Sequence, residues 1–261
     1  MYCNKFRMNK SWNRQFEDSY TLKKLQEASQ GFSTTEKNGS GYCTGQVRSI
    51  QSDTEPFLSL YQTLQIFTRH ASCSSPKGDV LFLHGMRFTS QNWEDINSLR
   101  LMAAMGYRGV AVDLPGYGQS KDFSVAAENV PEFMENLVSA LGLTAPVIVS
   151  PSMSGGFSLP YLMKEPQTAK ERCSGYVPVA CVNTDKYTAE QYKKIQIPTV
   201  AINGSNDTTP MVGQCKTHFK HLPNSEIIEI PDAGHPAYLN KPDIFHTIMF
   251  HFLSDIFDKR S

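Results

Sequence analysis

An α/β fold, with a mostly parallel central sheet and helices on both of its faces, is predicted by three observations. Short apolar or β-branched runs recur at Val80-Leu81-Phe82-Leu83, Val147-Ile148-Val149, Thr199-Val200-Ala201-Ile202 and Ile227-Ile228-Glu229-Ile230. Each is of strand length and runs into turn residues, as buried strands do. Stretches long enough for helices separate them, and this alternation buries a sheet between layers of helix.

Element by element, residues 1–54 mix Lys, Asn, Gln, Ser and Gly with few aliphatics, and the turn-rich segment 31–41 has little to pack. This part reads as a polar, flexible N-terminal extension to a single domain at 55–261. From residue 56 the order is two strands, a strand near 80–84, a helix near 92–105, a strand near 108–112 and a helix near 125–141. The run at 147–149 and its helix follow, then strands near 175–181, 198–203 and 226–230, with helices near 210–221 and 241–257. Only Val182 to Gln196 separates the strand ending at Cys181 from the next one, which leaves room for one short helix. Little or no cap is therefore expected over the sheet, and the mouth of any site at that edge should be open.

Composition narrows the classes further. The chain has 261 residues, of which 40% are hydrophobic, enough for one sizeable core with an extension. Its 25 basic and 25 acidic residues cancel, so no electrostatic footprint points to nucleic acid or to an anionic membrane. Cysteines 3, 43, 73, 173, 181 and 215 form no C-x-x-C or metal-ligand spacing, and the N-terminus does not read as a signal peptide. Reduced thiols and a cytoplasmic location, with the nucleus as a second compartment, are the expectation. No run approaches the ~18 apolar residues of a membrane span.

Chemistry concentrates after the strands. In Val147-Ile148-Val149-Ser150-Pro151-Ser152-Met153-Ser154-Gly155-Gly156 an apolar run drives into small residues around Ser152. A serine exposed on a tight strand-to-helix turn needs small residues two places before and after it, and Ser150 and Ser154 fill those places. Asp207 follows Asn203-Gly204-Ser205-Asn206, and His235 follows Pro231-Asp232-Ala233-Gly234. All three candidates lie past the C-terminal ends of strands, which share one edge in a parallel sheet. Leu83-His84-Gly85-Met86-Arg87-Phe88 is a strand opening into a loop. There the N–H of Met86, with that of Met153, is expected to receive the negative oxygen of an attacked carbonyl. Both methionine side chains would line the acyl pocket or fill gaps in the core. Asp185 is a second position for the acid, and otherwise caps a helix or lines the pocket rim. Arg87 either binds a substrate carboxylate or phosphate, or pairs with a surface acid. His84 is expected to pack behind the loop and Asp113 to fix one. No pair of histidines has metal-ligand context, so no metal is proposed.

The order serine, acid, histidine is that of the α/β hydrolases. From about Glu55 onward the chain resembles that superfamily and is similar, more narrowly, to α/β-hydrolase-domain-containing protein 14 and its close relatives. The resemblance rests on Leu83-His84-Gly85-Met86-Arg87-Phe88, Asp113-Leu114-Pro115-Gly116-Tyr117-Gly118-Gln119-Ser120, Ser150-Pro151-Ser152-Met153-Ser154-Gly155, Val177-Pro178-Val179-Ala180, Thr184-Asp185-Lys186 and Gly234-His235-Pro236. It implies an α/β-hydrolase fold with Ser152 as nucleophile, Asp207 as orienting acid and His235 as base. It implies hydrolysis of small activated esters and removal of short acyl groups from lysine, with no required cofactor and coenzyme A as an acyl acceptor. The expected substrates are a small acyl ester or an acylated lysine. The competing class is a protein-interaction module on a hydrolase fold, whose implied partner is a transcription-associated protein.

Overall fold

The computed structural model describes residues 64–258 and, ahead of them, a strand at residues 41–50. Strands β1 (Gly41–Ile50), β2 (Leu64–Ser72), β3 (Asp79–Phe82), β4 (Arg108–Val112), β5 (Val147–Pro151), β6 (Gly175–Val179), β7 (Thr199–Gly204) and β8 (Ser225–Ile230) form one sheet in the order β1-β2-β4-β3-β5-β6-β7-β8. β2 runs antiparallel to β1 and β4, and every other neighbouring pair is parallel. The helices are α1 (Gln91–Asp95), α2 (Ser98–Ala104), α3 (Val130–Ala140), α4 (Gly155–Met163), α5 (Ala169–Arg172), α6 (Ala189–Lys194), α7 (Pro210–Phe219), α8 (Ala237–Asn240) and α9 (Pro242–Phe257).

Because strand side chains alternate sides, each strand feeds two cores. Leu81 and Leu83 pack with Phe133 and Leu137 of α3 and Leu159 of α4, whereas Val80 and Phe82 pack with Trp93, Leu99 and Phe252 on the opposite face. β5 repeats the division with Ile148 on one side and Val147 and Val149 on the other. Full burial of side chains of this size contributes about 1.5–3 kcal/mol each. Trp93 also reaches the functional edge, since its indole N–H donates to the Leu83 carbonyl at 2.8 Å and its ring stacks on Tyr238 at 4.5 Å.

The sheet order places the site. β5 returns to lie beside β3 while β4 lies on the other flank, so the loops after β3 and β5 meet at the C-terminal edge. β7 and β8 are also neighbours, which brings the loop carrying Asp207 beside the loop carrying His235. Between β6 and β7 the chain makes only a one-turn 3-10 segment, Thr184–Lys186, and α6. A capping box between Thr188 and Gln191 starts α6. Among the described residues this is the expected arrangement, with no cap inserted between β6 and β7.

Several boundaries differ from the sequence expectation for local reasons. The helix read over 92–105 is two helices, parted at Asn97, whose φ of 61° lies in the left-handed region that asparagine tolerates. The helix read from 125 begins at Val130, where Pro131 suits a first turn. β6 ends at Val179 because Ala180 turns to φ 45°. β1 lies inside the segment read as an N-terminal extension and pairs with β2, so the sheet starts before residue 55. The rest of that segment, residues 1–40 and 51–54, lies outside the described residues. No helix among the described residues is long and apolar enough to cross a membrane.

Candidate active site

Ser152 stands at the turn from β5 into α4 with φ 50°. A non-glycine residue there costs about 1–3 kcal/mol and persists only where its surroundings hold it. Here the Val182 N–H donates to the Ser152 carbonyl at 3.0 Å, tying the turn to the loop that follows β6. Gly155 lets that loop approach, because a Cβ on it would run into the Cys181 sulfur and the Val182 backbone. Ser150 and Ser154, standing where glycines are usual, are fully buried. Their hydroxyls are 3.1 Å apart, Ser154 donates to the Pro151 carbonyl at 2.8 Å, and Ser150 lies 2.7 Å from the Ser158 hydroxyl. Ser158 in turn lies 2.9 Å from the Tyr176 hydroxyl. A buried hydroxyl is tolerable only when paired, and this chain of four pairs them all. Burial pushes the Tyr176 phenol well above its ordinary range, so it stays neutral within the chain.

Asp207 and His235 are joined through their loops before their side chains meet. Asn206 N–H donates to the Ala233 carbonyl at 2.9 Å, and Ser205 N–H to the Ile230 carbonyl at 2.9 Å. Gly204 is packed so closely on Ala233 and Gly234 that a Cβ would strike their backbone. From this base Asp207 Oδ2 lies 2.7 Å from His235 Nδ1, and His235 Nε2 lies 2.8 Å from Ser152 Oγ. The other oxygen of Asp207 accepts from the Thr209 N–H at 2.9 Å and the Thr209 hydroxyl at 2.6 Å. Burial pushes the Asp207 carboxyl up, but the hydrogen bonds from Thr209 and His235 outweigh it and leave the group below its ordinary value. An ionised Asp207 fixes the tautomer: Nδ1–H donates to the carboxylate, so Nε2 is free to accept the Ser152 proton.

The loop after β3 is held from behind. Leu114 N–H donates to His84 Nε2 at 2.9 Å, which leaves the proton on Nδ1 and directs it to the Gly85 carbonyl 2.9 Å away. Phe88 N–H donates to the same carbonyl at 3.0 Å. Since a peptide's N–H points opposite its carbonyl, both bonds fix the direction of the Met86 N–H. Burial lowers the His84 pKa, against the Gly85 carbonyl and the charge of Asp113, and so favours the neutral ring this arrangement needs. Asp113 makes three hydrogen bonds to two loops: it accepts from the Ser90 N–H at 2.7 Å, the Ser90 hydroxyl at 2.6 Å and the Gln119 N–H at 2.8 Å.

One cavity is lined by the serine itself and a second by the residue after it. One, of about 340 Å³, is lined by Met86, Arg87, Ser152, Met211, His235 and Pro236. The other, of about 490 Å³, lies over α4 and is lined by Met153, Gly156, Phe157 and Pro160 among others, but not by Ser152. The two methionine side chains thus line different cavities rather than one pocket. Met86 is 62% exposed and fills no gap in the core. Arg87 lies at the first cavity, exposed and with no ion-pair partner among the described residues.

Of the residues singled out from the sequence, Ser152, Asp207, His235, Met86, Met153 and Arg87 come together at this edge. Asp185 does not: it is exposed on the 184–186 turn, lines neither cavity, and His235 already holds Asp207. The turn directs Thr184 inward instead, where its hydroxyl meets His218 Nδ1 at 3.0 Å. Thr209 was not foreseen. It stands before Pro210 at the start of α7, the place of an N-cap, but its hydroxyl goes to Asp207 rather than to the helix. Met211 and Ser158 were also missed, and nothing in their spacing marks them. Among the described residues no group of three or more His, Cys, Asp or Glu side chains is placed to hold a metal ion.

Comparison with known proteins agrees with this architecture. The family model described as alpha/beta hydrolase fold matches residues 79–181, which gives the class. A solved structure of a predicted CIB-like hydrolase from Thermoplasma acidophilum shares the fold, with a TM-score of 0.69 at 24% identity over 82% of this chain and 100% of that one. Among curated proteins, the rat protein named "Putative protein-lysine deacylase ABHD14B" is 41% identical over 68% of this chain and 83% of its own length. Rat ABHD14A is 39% identical over 69% of this chain and 73% of its own. The chain belongs to the ABHD14 family of α/β-hydrolase-fold proteins, and is a hydrolytic enzyme by class.

Proposed function

We propose that the chain is a serine hydrolase acting on small acyl substrates, as ester, thioester or acylated lysine, through an acyl-enzyme on Ser152. The observation that carries this reading is the continuous relay Asp207–His235–Ser152, with contacts of 2.7 and 2.8 Å. A serine hydroxyl attacks a carbonyl at neutral pH only when a base removes its proton as the bond forms. His235 Nε2 takes that proton while Oγ bonds to the acyl carbon, and Asp207 stabilises the imidazolium without accepting the proton. The carbonyl oxygen becomes negative and is met by the N–H groups of Met86 and Met153. On collapse, the bond from carbon to the leaving group breaks and His235 returns the proton to that group. Water then repeats the sequence: its oxygen bonds to the acyl carbon, its proton passes through His235 to Ser152, and the acid is released.

Acylated lysine is favoured among these substrates by the deacylase name of the 41% identical relative and by the uncapped mouth, which admits an acyl group on a large carrier. Arg87 beside Ser152 gives an anionic acceptor such as coenzyme A a docking charge, in which case the acyl group leaves on the thiol instead of on water. The test is fluorophosphonate labelling of the purified protein, followed by turnover of p-nitrophenyl acetate and of an acetyl-lysine peptide with and without coenzyme A. Labelling and turnover that vanish in Ser152→Ala support the reading. A folded wild-type protein that neither labels nor turns over any substrate overturns it, and favours the scaffold alternative.

A further inference from the structure

We propose that the 490 Å³ cavity over α4 is the acyl-chain subsite, and that it takes medium-length acyl chains ending in a carboxylate, held by Lys186 and Asn183. The proposal rests on the acyl-enzyme reading above. Its first step is the direction of proton return. A leaving group must accept its proton from His235 Nε2, so it departs on the side where His235 lies, and His235 lines the first cavity together with Arg87 and Pro236. The acyl substituent is then left the side away from His235, and the second cavity, lined by Met153 next to the nucleophile and not by His235, is the one we assign to it.

That cavity has the size of a small-molecule site, about 300–1,000 Å³. Phe157, Val182 and Tyr187 make its walls apolar, which suits a methylene chain. Lys186 and Asn183 also line it. The ammonium of Lys186 is exposed and has no ion-pair partner among the described residues, and the neighbouring Asp185 does not line the cavity. The turn that carries them is fixed from below rather than free to swing. Asn183 sits at φ 63°, the Lys186 N–H donates to its carbonyl at 3.3 Å, and buried Thr184 is held by the Tyr192 hydroxyl at 2.7 Å and by His218. A largely apolar cavity that also carries, on a turn with a held backbone, a cation without an ion-pair partner among the described residues and an amide matches a chain whose far end is anionic. A neutral chain of the same length gains nothing from that cation, which stays hydrated.

The experiment compares p-nitrophenyl esters that share a leaving group: acetate, hexanoate and the monoester of adipate, which has six carbons and a terminal carboxylate. The wild-type protein is expected to show kcat/KM for the adipate ester about fivefold above hexanoate, the size an exposed ion pair supports. That ratio should fall to one or below in Lys186→Met, persist in Lys186→Arg and shrink as salt is raised. Acetate turnover with no adipate preference, or a preference untouched by Lys186→Met, overturns the subsite while leaving the serine-hydrolase reading in place. Absence of acetate turnover and of fluorophosphonate labelling overturns both.

Discussion

His235 Nδ1 lies 2.7 Å from one oxygen of Asp207, and the other oxygen of that carboxylate is taken by Thr209 through both its N–H and its hydroxyl. The carboxylate is therefore saturated on both sides while its side chain is only 1% exposed. Such an arrangement aligns the imidazole and at the same time stores stability in an ionised group.

Asp207→Asn keeps the shape and removes the charge. Its amide donates where the carboxylate accepted, so the imidazole turns to the wrong tautomer and kcat is expected to fall by about 10³–10⁴. The stability effect has a definite sign. Asp207 is held below its ordinary value in the folded protein, so its contribution is complete above the unfolded value of ~3.9 and is lost as pH falls through the folded one. The gap in urea midpoint between wild type and Asp207→Asn should be widest at neutral pH and close as the solution is acidified below about pH 4. A gap that widens on acidification contradicts this account.

Gly204→Ala tests whether the two loops are one unit. The new methyl would strike the Ala233 and Gly234 backbone, which has no flexible side chain to yield, so the loop bearing Asp207 must move off the loop bearing His235. A displacement near 1 Å costs about 10²-fold in rate. The prediction is a loss of that order in kcat/KM toward p-nitrophenyl acetate, accompanied by a lower melting temperature. Full activity in a folded Gly204→Ala protein shows that the loops do not depend on this contact.

Ser154→Ala separates packing from chemistry at the turn. Ser154 is fully buried and its hydroxyl donates to the Pro151 carbonyl, so it cannot present itself to a substrate. Fluorophosphonate labelling should survive the substitution, and stability should drop by about 1–3 kcal/mol because the Pro151 carbonyl and Ser150 hydroxyl each lose a partner. Urea unfolding alongside the labelling reads both outcomes. Loss of labelling at unchanged stability reverses the assignment.

How far the sequence reveals this protein depends on the kind of information each feature carries. The parallel strands were readable because burial on both faces makes them near-continuous apolar runs, as in Val147-Ile148-Val149. The meeting of Ser152, Asp207 and His235 at one place was readable because strand ends in a parallel sheet share an edge, so position in the chain predicts proximity. Thr209 was not, since its hydroxyl has two uses at the start of α7 and only the fold decides which one wins. The break at Asn97 and the early end of β6 at Ala180 depend on single left-handed residues, which leave periodicity unchanged. The split of Met86 and Met153 between two cavities is a matter of direction, to which spacing is blind.

His246 yields a prediction away from the site. It is buried between α2 and α9, bonded through Nε2 to the Ser98 hydroxyl at 2.8 Å, and burial pushes its pKa down to about 3. In the unfolded chain the ring titrates near 6.5, so between about pH 6.5 and 3 the unfolded state binds a proton that the folded state refuses. Stability then rises with pH across that window, by up to about 1.4 kcal/mol per unit from this residue, and levels off above it. His246→Gln retains a partner for Ser98 but cannot titrate. It should flatten the dependence of the urea midpoint on pH between 6.5 and 4, even though it costs some stability at neutral pH through imperfect fit. An unaltered slope in His246→Gln would place the acid sensitivity elsewhere, with the neutral, buried ring of His84 as the next residue to replace.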